Sequence, residues 1–394
     1  MSKDSMQEFD EMEKKLVFSV HEYSERLRRV NEKMKDCRLD FLIIQSPENI
    51  YYLTGYRSAG YTKYGLGGGV LVVPADGDPW LVGRGADAVS ARDASWINNI
   101  TSYAEGESPF KTIAKLHPEV RRTSRRIGIE EDCRFFTYAT FKLLRKILPH
   151  AHFKDCSGLV ETFRLIKSDA EIELIRKAAA ISVKGIKAGV RAACPGVTDN
   201  EVAAEVYHAL LSNGSEYPGY PPFVTSGSVG HTTWEGRTLK AGDIMLLELS
   251  ACVKRYHAPM ARTVAIGEPS SKIQKIAELT RAALEDTIAG IRPGATVNDI
   301  EAISLRKRVD TSCYSVGIAF PPTWNELPPP KTFRDVLTLG GTSTIRKGMV
   351  FHVIPNVQLE GIGAVACSET VLVTDQGREV LTGGIEDTFI VTRK

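Results

Sequence analysis

Three side chains stand where acid–base chemistry is possible. Glu248 interrupts the apolar run Ile244-Met-Leu-Leu-Glu-Leu249. Side chains alternate faces along a strand, so Leu246, Glu248, Ser250 and Cys252 share one face. A carboxylate among apolar neighbours is costly to bury unless it is paired, protonated or used. Glu369 repeats the pattern ahead of Thr370-Val-Leu-Val373. Two acids on central strands are candidates for proton transfer or for holding a substrate cation. The alternative for either is a structural ion pair, for instance with Arg262. His231 lies in the Gly/Ser-rich stretch Ser226-Gly-Ser-Val-Gly-His231-Thr-Thr-Trp234. Small neighbours let a loop histidine approach a ligand, and imidazole titrates near neutrality. A lone loop histidine is as readily incidental.

The elements that must position these residues carry an internal duplication. Cys194-Pro-Gly-Val-Thr-Asp-Asn-Glu-Val202 recurs as Arg292-Pro-Gly-Ala-Thr-Val-Asn-Asp-Ile300. Each copy ends one helix, turns at Pro-Gly and caps the next helix with Thr. Downstream, Lys240-Ala-Gly-Asp-Ile-Met-Leu-Leu-Glu248 matches Arg346-Lys-Gly-Met-Val-Phe-His-Val-Ile354. Two copies of helix–turn–helix–strand imply a C-terminal domain of two pseudo-symmetric α+β halves, with a cleft at the pseudo-dyad. Ser168-Asp-Ala-Glu171 reads as a capping box opening a long helix to about Ala193. Before it, His21–Cys37 and Tyr138–Leu148 read as helices. Phe41–Ile44, Gly69–Val73, Trp80–Val82 and Arg126–Glu130 read as strands. Strands alternating with helices predict an α/β N-terminal domain. The expected division is 1–157 and 158–394.

Composition excludes several function classes. The chain has 394 residues, 43% hydrophobic and 25% charged, as an ordinary globular protein does. Fifty Lys+Arg against 48 Asp+Glu leave +2, so no basic field argues for nucleic acid. No apolar run approaches the roughly 20 residues of a membrane span. The polar stretch Met1–Lys15 argues against a secretory signal. Seven scattered cysteines without a CxxC fit reduced thiols in the cytoplasm.

The chain resembles the pita-bread family of creatinase, prolidase, aminopeptidase P and methionine aminopeptidase. Asn49-Ile-Tyr-Tyr-Leu-Thr-Gly55 is similar to the N-domain signature of creatinase and prolidase, and Phe163-Arg-Leu-Ile-Lys-Ser-Asp-Ala-Glu171 to their interdomain segment. Gly242-Asp-Ile, Ala261-Arg-Thr263, Gly348-Met-Val-Phe and Ser368-Glu-Thr-Val-Leu-Val follow in family order. The dinuclear metal set of that family falls on Glu248, Pro259, Tyr314, Ile354 and Glu369. Pro and Ile cannot bind a metal, so the resemblance implies a hydrolase without a metal or other cofactor.

Creatinase works without metal and uses a histidine as general acid/base. His231 keeps that residue's spacing, eleven residues before Gly242. The likeness is greater to ectoine hydrolases, which open the cyclic amidine of a small zwitterion. They share segments like His231-x-Thr-Trp234, Lys254-Arg-Tyr-His257-x-Pro-Met260, Gly317-Ile-x-x-Pro-Pro-x-Trp324 and Phe351-His352. The resemblance therefore implies His231 as proton shuttle and Glu248 with Glu369 as holders of the cation. Trp234, His257, Tyr314 and His352 would line the pocket. Asp155 matches an acid that there acts as a nucleophile, orients one, or is structural. Tyr61 and Lys63 resemble an aromatic-x-basic pair that closes creatinase's cleft across a homodimer, or they form a solvated loop tip. The implied activity is hydrolysis of a non-peptide C–N bond. Creatine hydrolysis, Xaa-Pro metallopeptidase activity and a non-catalytic binding role stand behind it.

Overall fold

The computed structural model describes residues 16–58, 69–227, 232–307, 309–327, 344–385 and 387–392. The chain divides into two compact units, Met1–Phe163 and Arg164–Lys394, slightly later than the expected boundary. Among the described residues no helix is long and apolar enough to cross a membrane. All seven cysteines are free thiols.

The N-terminal unit is built on a six-stranded sheet. Ser19 caps α1 (Val20–Asp36) by accepting from the Glu22 amide, and the helix buries Tyr23, Leu27, Val30 and Met34. β1 (Phe41–Ile44) is apolar throughout because it is central, with β2 (Val70–Pro74) antiparallel on one side and β5 (Arg126–Ile129) parallel on the other. β3 (Trp80–Arg84) and β4 (Ile100–Tyr103) extend the sheet beyond β2, and β6 (His152–Asp155) extends it beyond β5. Helices α2 (Pro47–Thr54), α3 (Gly85–Ala94), α4 (Pro109–Leu116) and α5 (Tyr138–Ile147) complete the α/β unit.

The signature around Asn49 has a local physical cause. Buried Glu130 accepts from the amides of Gln45 and Ser46 and from the Asn49 side chain, at 2.8, 2.9 and 2.6 Å. These bonds fix the turn from β1 into α2. Gly55 ends α2 in the left-handed region at φ 77°, where a Cβ would lie 2.7 Å from the Tyr23 hydroxyl.

The C-terminal unit shows the duplication atom by atom. α6 (Asp169–Ala192) opens with the Ser168/Glu171 capping box, and α7 (Asp199–Ser212) with Thr198/Glu201. In the second copy Thr296 caps α9 (Val297–Lys307): Asp299 donates its amide to Thr296 Oγ1 and accepts the Thr296 amide. Gly196 and Gly294 take φ of 88° and 85° in the matching turns. Thr198 bridges Thr238, and Thr296 bridges Thr344.

The strands form two sheets. One has four strands, β15 (Phe389–Thr392), β9 (Tyr256–Ile266), β8 (Ile244–Val253) and β7 (Phe223–Ser226). The other orders β10 (Asp310–Ser315), β11 (Val350–Leu359), β13 (Glu369–Thr374) and β14 (Gly377–Val380), with β12 (Gly363–Ala366) also on β11. A backbone bridge between Ala261 and Ser368 joins the sheets. α6 packs its Gly185 and Gly189 on Leu249 and Leu247, while α8 (Ser271–Gly290) packs Leu284 and Ile288 with Val353, Val371 and Val373. These residues define the helix-covered face. By the pleat, Leu246, Glu248, His352 and Ile354 point to the opposite face.

Candidate active site

That opposite face opens into a cavity of about 530 Å³. β8 contributes Glu248, and Phe223 is its cross-strand partner on β7. β10 contributes Asp310, Ser312 and Tyr314, every second residue of one strand. Ile354 and Asn356 on β11 stand opposite Ser312 and Asp310 in register. Tyr220 and Trp324 meet edge to face at 4.9 Å, and Phe223 packs on Trp324 at 5.7 Å. Thr232 and Thr233 complete that wall.

Glu248 is 3% exposed, and burial pushes its carboxyl up to about 7. Tyr314 Oη accepts from Trp324 Nε1 at 2.9 Å and lies 2.6 Å from His352 Nδ1. His352 Nε2 lies 2.6 Å from Ser368 Oγ. Burial lowers the His352 imidazole to about 3, so it is neutral at physiological pH. Behind the aromatic wall, buried Lys167 binds Glu326 at 2.5 Å, and Ser315 donates to the same carboxylate at 2.6 Å. This pair fixes the segment that carries Trp324.

Of the residues expected from sequence, Glu248 and Tyr314 line the cavity, and His352 stands behind Tyr314. His231, Tyr61 and Lys63 lie outside the described residues. Three expectations are corrected. Glu369 is on the helix-covered face, paired with Val353 across the sheet. It binds Arg262 and Thr382, so it forms the ion pair that was its alternative. Burial raises its carboxyl, and Arg262 and Thr382 offset part of that shift. Ser368, one residue earlier, occupies the cavity-side register opposite Ala261 and contacts His352.

His257 is fully buried and does not line the cavity. Its Nε2 accepts the Gly219 amide at 3.0 Å and its Nδ1 faces Arg255 O at 3.1 Å, so it anchors the segment leading to Tyr220. Trp234 packs edge-on against Tyr207, away from the cavity lining. Asp155 lies in the N-terminal unit, exposed, and accepts the Ser157 amide at 2.9 Å, a bond in keeping with its structural alternative.

Sequence reasoning missed Tyr220, Phe223, Asp310, Ser312, Asn325 and Asn356. The alternation Asp310-x-Ser312-x-Tyr314 was a signal for two of them. A larger groove of about 920 Å³ lies in the N-terminal unit beside Arg84, Asp87, Lys111 and Lys115. Its charges are of both signs and partly paired, Arg84 with Glu105 and Asp87 with Tyr56 and Ser58. It gathers no convergent chemistry.

The residues do not fit a dinuclear metal pair. With Ser368 in the last place, the five positions offer one carboxylate, two hydroxyls and the donorless side chains of Pro259 and Ile354. Both hydroxyls are engaged with His352. Among the described residues no group of three His, Cys, Asp or Glu side chains is placed to hold a metal ion.

Comparison with known proteins places this arrangement. Residues 26–166 match the creatinase/prolidase N-terminal domain, and residues 173–375 match metallopeptidase family M24. An uncharacterized hydrolase/peptidase y4tM of Sinorhizobium fredii is 32% identical, over 93% of this chain and 97% of its own. The ectoine hydrolase of Halomonas elongata is 29% identical, over 95% and 98%. The prolidase structure from Pyrococcus horikoshii superposes with a TM-score of 0.77 at 23% identity, over 92% of this chain and 99% of that one. The duplicated halves, the capped turns and these matches agree: the chain belongs to metallopeptidase family M24, as a hydrolase with the pita-bread fold.

Proposed function

We propose that the chain hydrolyses a non-peptide C–N bond in a small zwitterion bearing an amidine or guanidino group, without a metal. The observation that carries the reading is the cavity's make-up: one buried carboxyl, Glu248, faces the rings of Tyr220, Phe223 and Trp324 where metal ligands would cluster. An amidinium entering this space gives up hydration. Ring faces repay about 0.5–2 kcal/mol of that loss. The cation also drives the proton from Glu248, because an adjacent positive charge offsets burial. Ectoine is the favoured substrate, since the named relative at 29% identity is an ectoine hydrolase. Creatine is next.

In this reading His231 moves the proton, from the loop just ahead of Thr232 and Thr233 on the cavity wall. Tyr61 and Lys63 close the site from the partner subunit of a cytoplasmic homodimer. Neither nucleic acid nor a membrane takes part. A metal-dependent Xaa-Pro dipeptidase is the competing reading, favoured by the 25%-identical Xaa-Pro dipeptidase of Pyrococcus furiosus.

The test is turnover of ectoine, creatine and Xaa-Pro dipeptides, each with and without a strong chelator. Chelator-insensitive cleavage of ectoine is expected. Dipeptide cleavage restored by added manganese or cobalt would sink the proposal.

A further inference from the structure

Tyr314 belongs to a hydrogen-bond chain that the catalytic reading does not use, Ser368–His352–Tyr314–Trp324. The direction of that chain decides what Tyr314 offers the cavity. Two arrangements of protons are open, because neutral imidazole carries its proton on one nitrogen and accepts at the other.

In the first, His352 Nε2 donates to Ser368 Oγ and the Tyr314 hydroxyl donates back to Nδ1. Ser368 is fully buried, and among the described residues its hydroxyl meets no acceptor besides His352. Its proton would then be orphaned, at a cost of about 1–3 kcal/mol. In the second, Ser368 donates to Nε2 and Nδ1 donates to Tyr314 Oη. Ser368, both nitrogens of His352 and the Trp324 indole are then satisfied, and the one proton left over is that of Tyr314, which borders the cavity and not the core. The Tyr314 oxygen receives two N–H donors, from His352 and from the Trp324 indole, which can only donate. Its own proton has one direction left. Tyr314 lines the cavity, so that proton points into it.

We infer that Tyr314 is a fixed hydrogen-bond donor into the cavity, set by Ser368 through the Nδ1–H form of His352, and that it receives the carboxylate of the zwitterionic substrate. The inference rests on the reading above for its ligand. Its geometry adds what that reading lacks, a donor for the substrate's negative end beside the carboxyl that takes the positive end. The neutrality of His352 supports it, since a protonated imidazole would offer Ser368 no acceptor. So does the upward shift of the Tyr314 phenol, which burial and Glu248 keep in its O–H form. Tyr314 is the ligand-contacting member. His352 and Ser368 are positioning residues.

Two measurements test it. Nitrogen-15 NMR of the imidazoles, with His352 assigned by its absence in His352→Gln, should show the His352 proton on Nδ1. A proton on Nε2 overturns the inference whatever the substrate is. Calorimetry then compares ectoine with the bare cyclic amidine that lacks its carboxylate. Tyr314→Phe should weaken ectoine about tenfold or more, the worth of a hydrogen bond to a charged group. The bare amidine should change little. Equal losses for both probes would overturn the carboxylate assignment. Ser368→Ala should reproduce part of the ectoine loss, and Ser368→Thr, which keeps the hydroxyl, should restore it. Failure of ectoine to bind the unmutated protein would sink the substrate reading and the carboxylate assignment together. The His352 nitrogen would still decide the donor direction.

Discussion

The two halves of the C-terminal unit repeat each other in backbone and diverge in chemistry. Both turn through a left-handed glycine, Gly196 or Gly294, and both cap the next helix with threonine, Thr198 or Thr296. On the cavity face the first half presents Glu248, a carboxyl raised by burial. The second half presents at the matching strand position Ile354, flanked by the neutral chain of His352 and Tyr314. The second half also brings an acid, Asp310, but that residue is exposed, so the duplicated scaffold carries its buried carboxyl on one side of the cavity. Backbone conformation is dictated by turn and cap chemistry, which both copies retain. The inward side chains are free of that duty.

The largest effect should come from the link between the halves. Arg262 on β9 holds Glu369 on β13, and both are buried. Arg262→Ala leaves a carboxylate buried without its cation and should cost about 3–5 kcal/mol, read as a large drop in melting temperature. Binding of ectoine at a permissive temperature should persist, because the pair faces the helices. Loss of binding with unchanged stability would return Glu369 to the site.

Next comes the charge of the first half. Burial pushes the Glu248 carboxyl up to about 7 from an ordinary 4.5, so the folded state holds the proton more tightly. Its contribution is fully present below pH 4.5 and is lost as pH rises through about 7. The loss is at most about 3 kcal/mol. Glu248→Gln should flatten that slope, making the variant more stable than the unmutated protein at pH 8 in urea titrations. It should also weaken ectoine binding at least tenfold. An unchanged pH slope would mean that burial does not hold the Glu248 proton.

The smallest effect tests the repeat itself. Thr198→Ala and Thr296→Ala should each cost about 1 kcal/mol. A large inequality between them would show that the halves share a turn sequence without sharing its energetic role.

Much of this architecture was legible because it is written in local chemistry. The capping boxes at Ser168 and Thr198, the Pro-Gly turns and the apolar central strand Phe41–Ile44 need only near neighbours. Glu248 was legible as an acid inside an apolar run. Glu369 was misplaced because a strand's face changes with one residue of register, and the pairing of Ser368 with Ala261 is set by a distant strand. His257 misled for a related reason. Lys254 and Arg255 both take positive φ, 49° and 65°, in the turn between β8 and β9. Arg255 folds inward onto Ala319 O and Tyr217 O, and His257 follows it into the core. Nothing near that stretch of sequence announces an inward turn.

Arg262 also bears on the order of assembly. Its guanidinium donates to the carbonyls of Ile385 and Asp387, which lie 123 and 125 positions further along the chain. Those residues lead into β15, which lies parallel to β9. During synthesis the arginine therefore emerges well before two of the acceptors that satisfy it. Until β15 docks, a cation destined for the interior lacks part of its shell, and contacts at such separation form slowly. The C-terminal unit is thus closed by one of its latest-made strands, and a nascent chain released short of it would expose both the β9 edge and a half-solvated arginine.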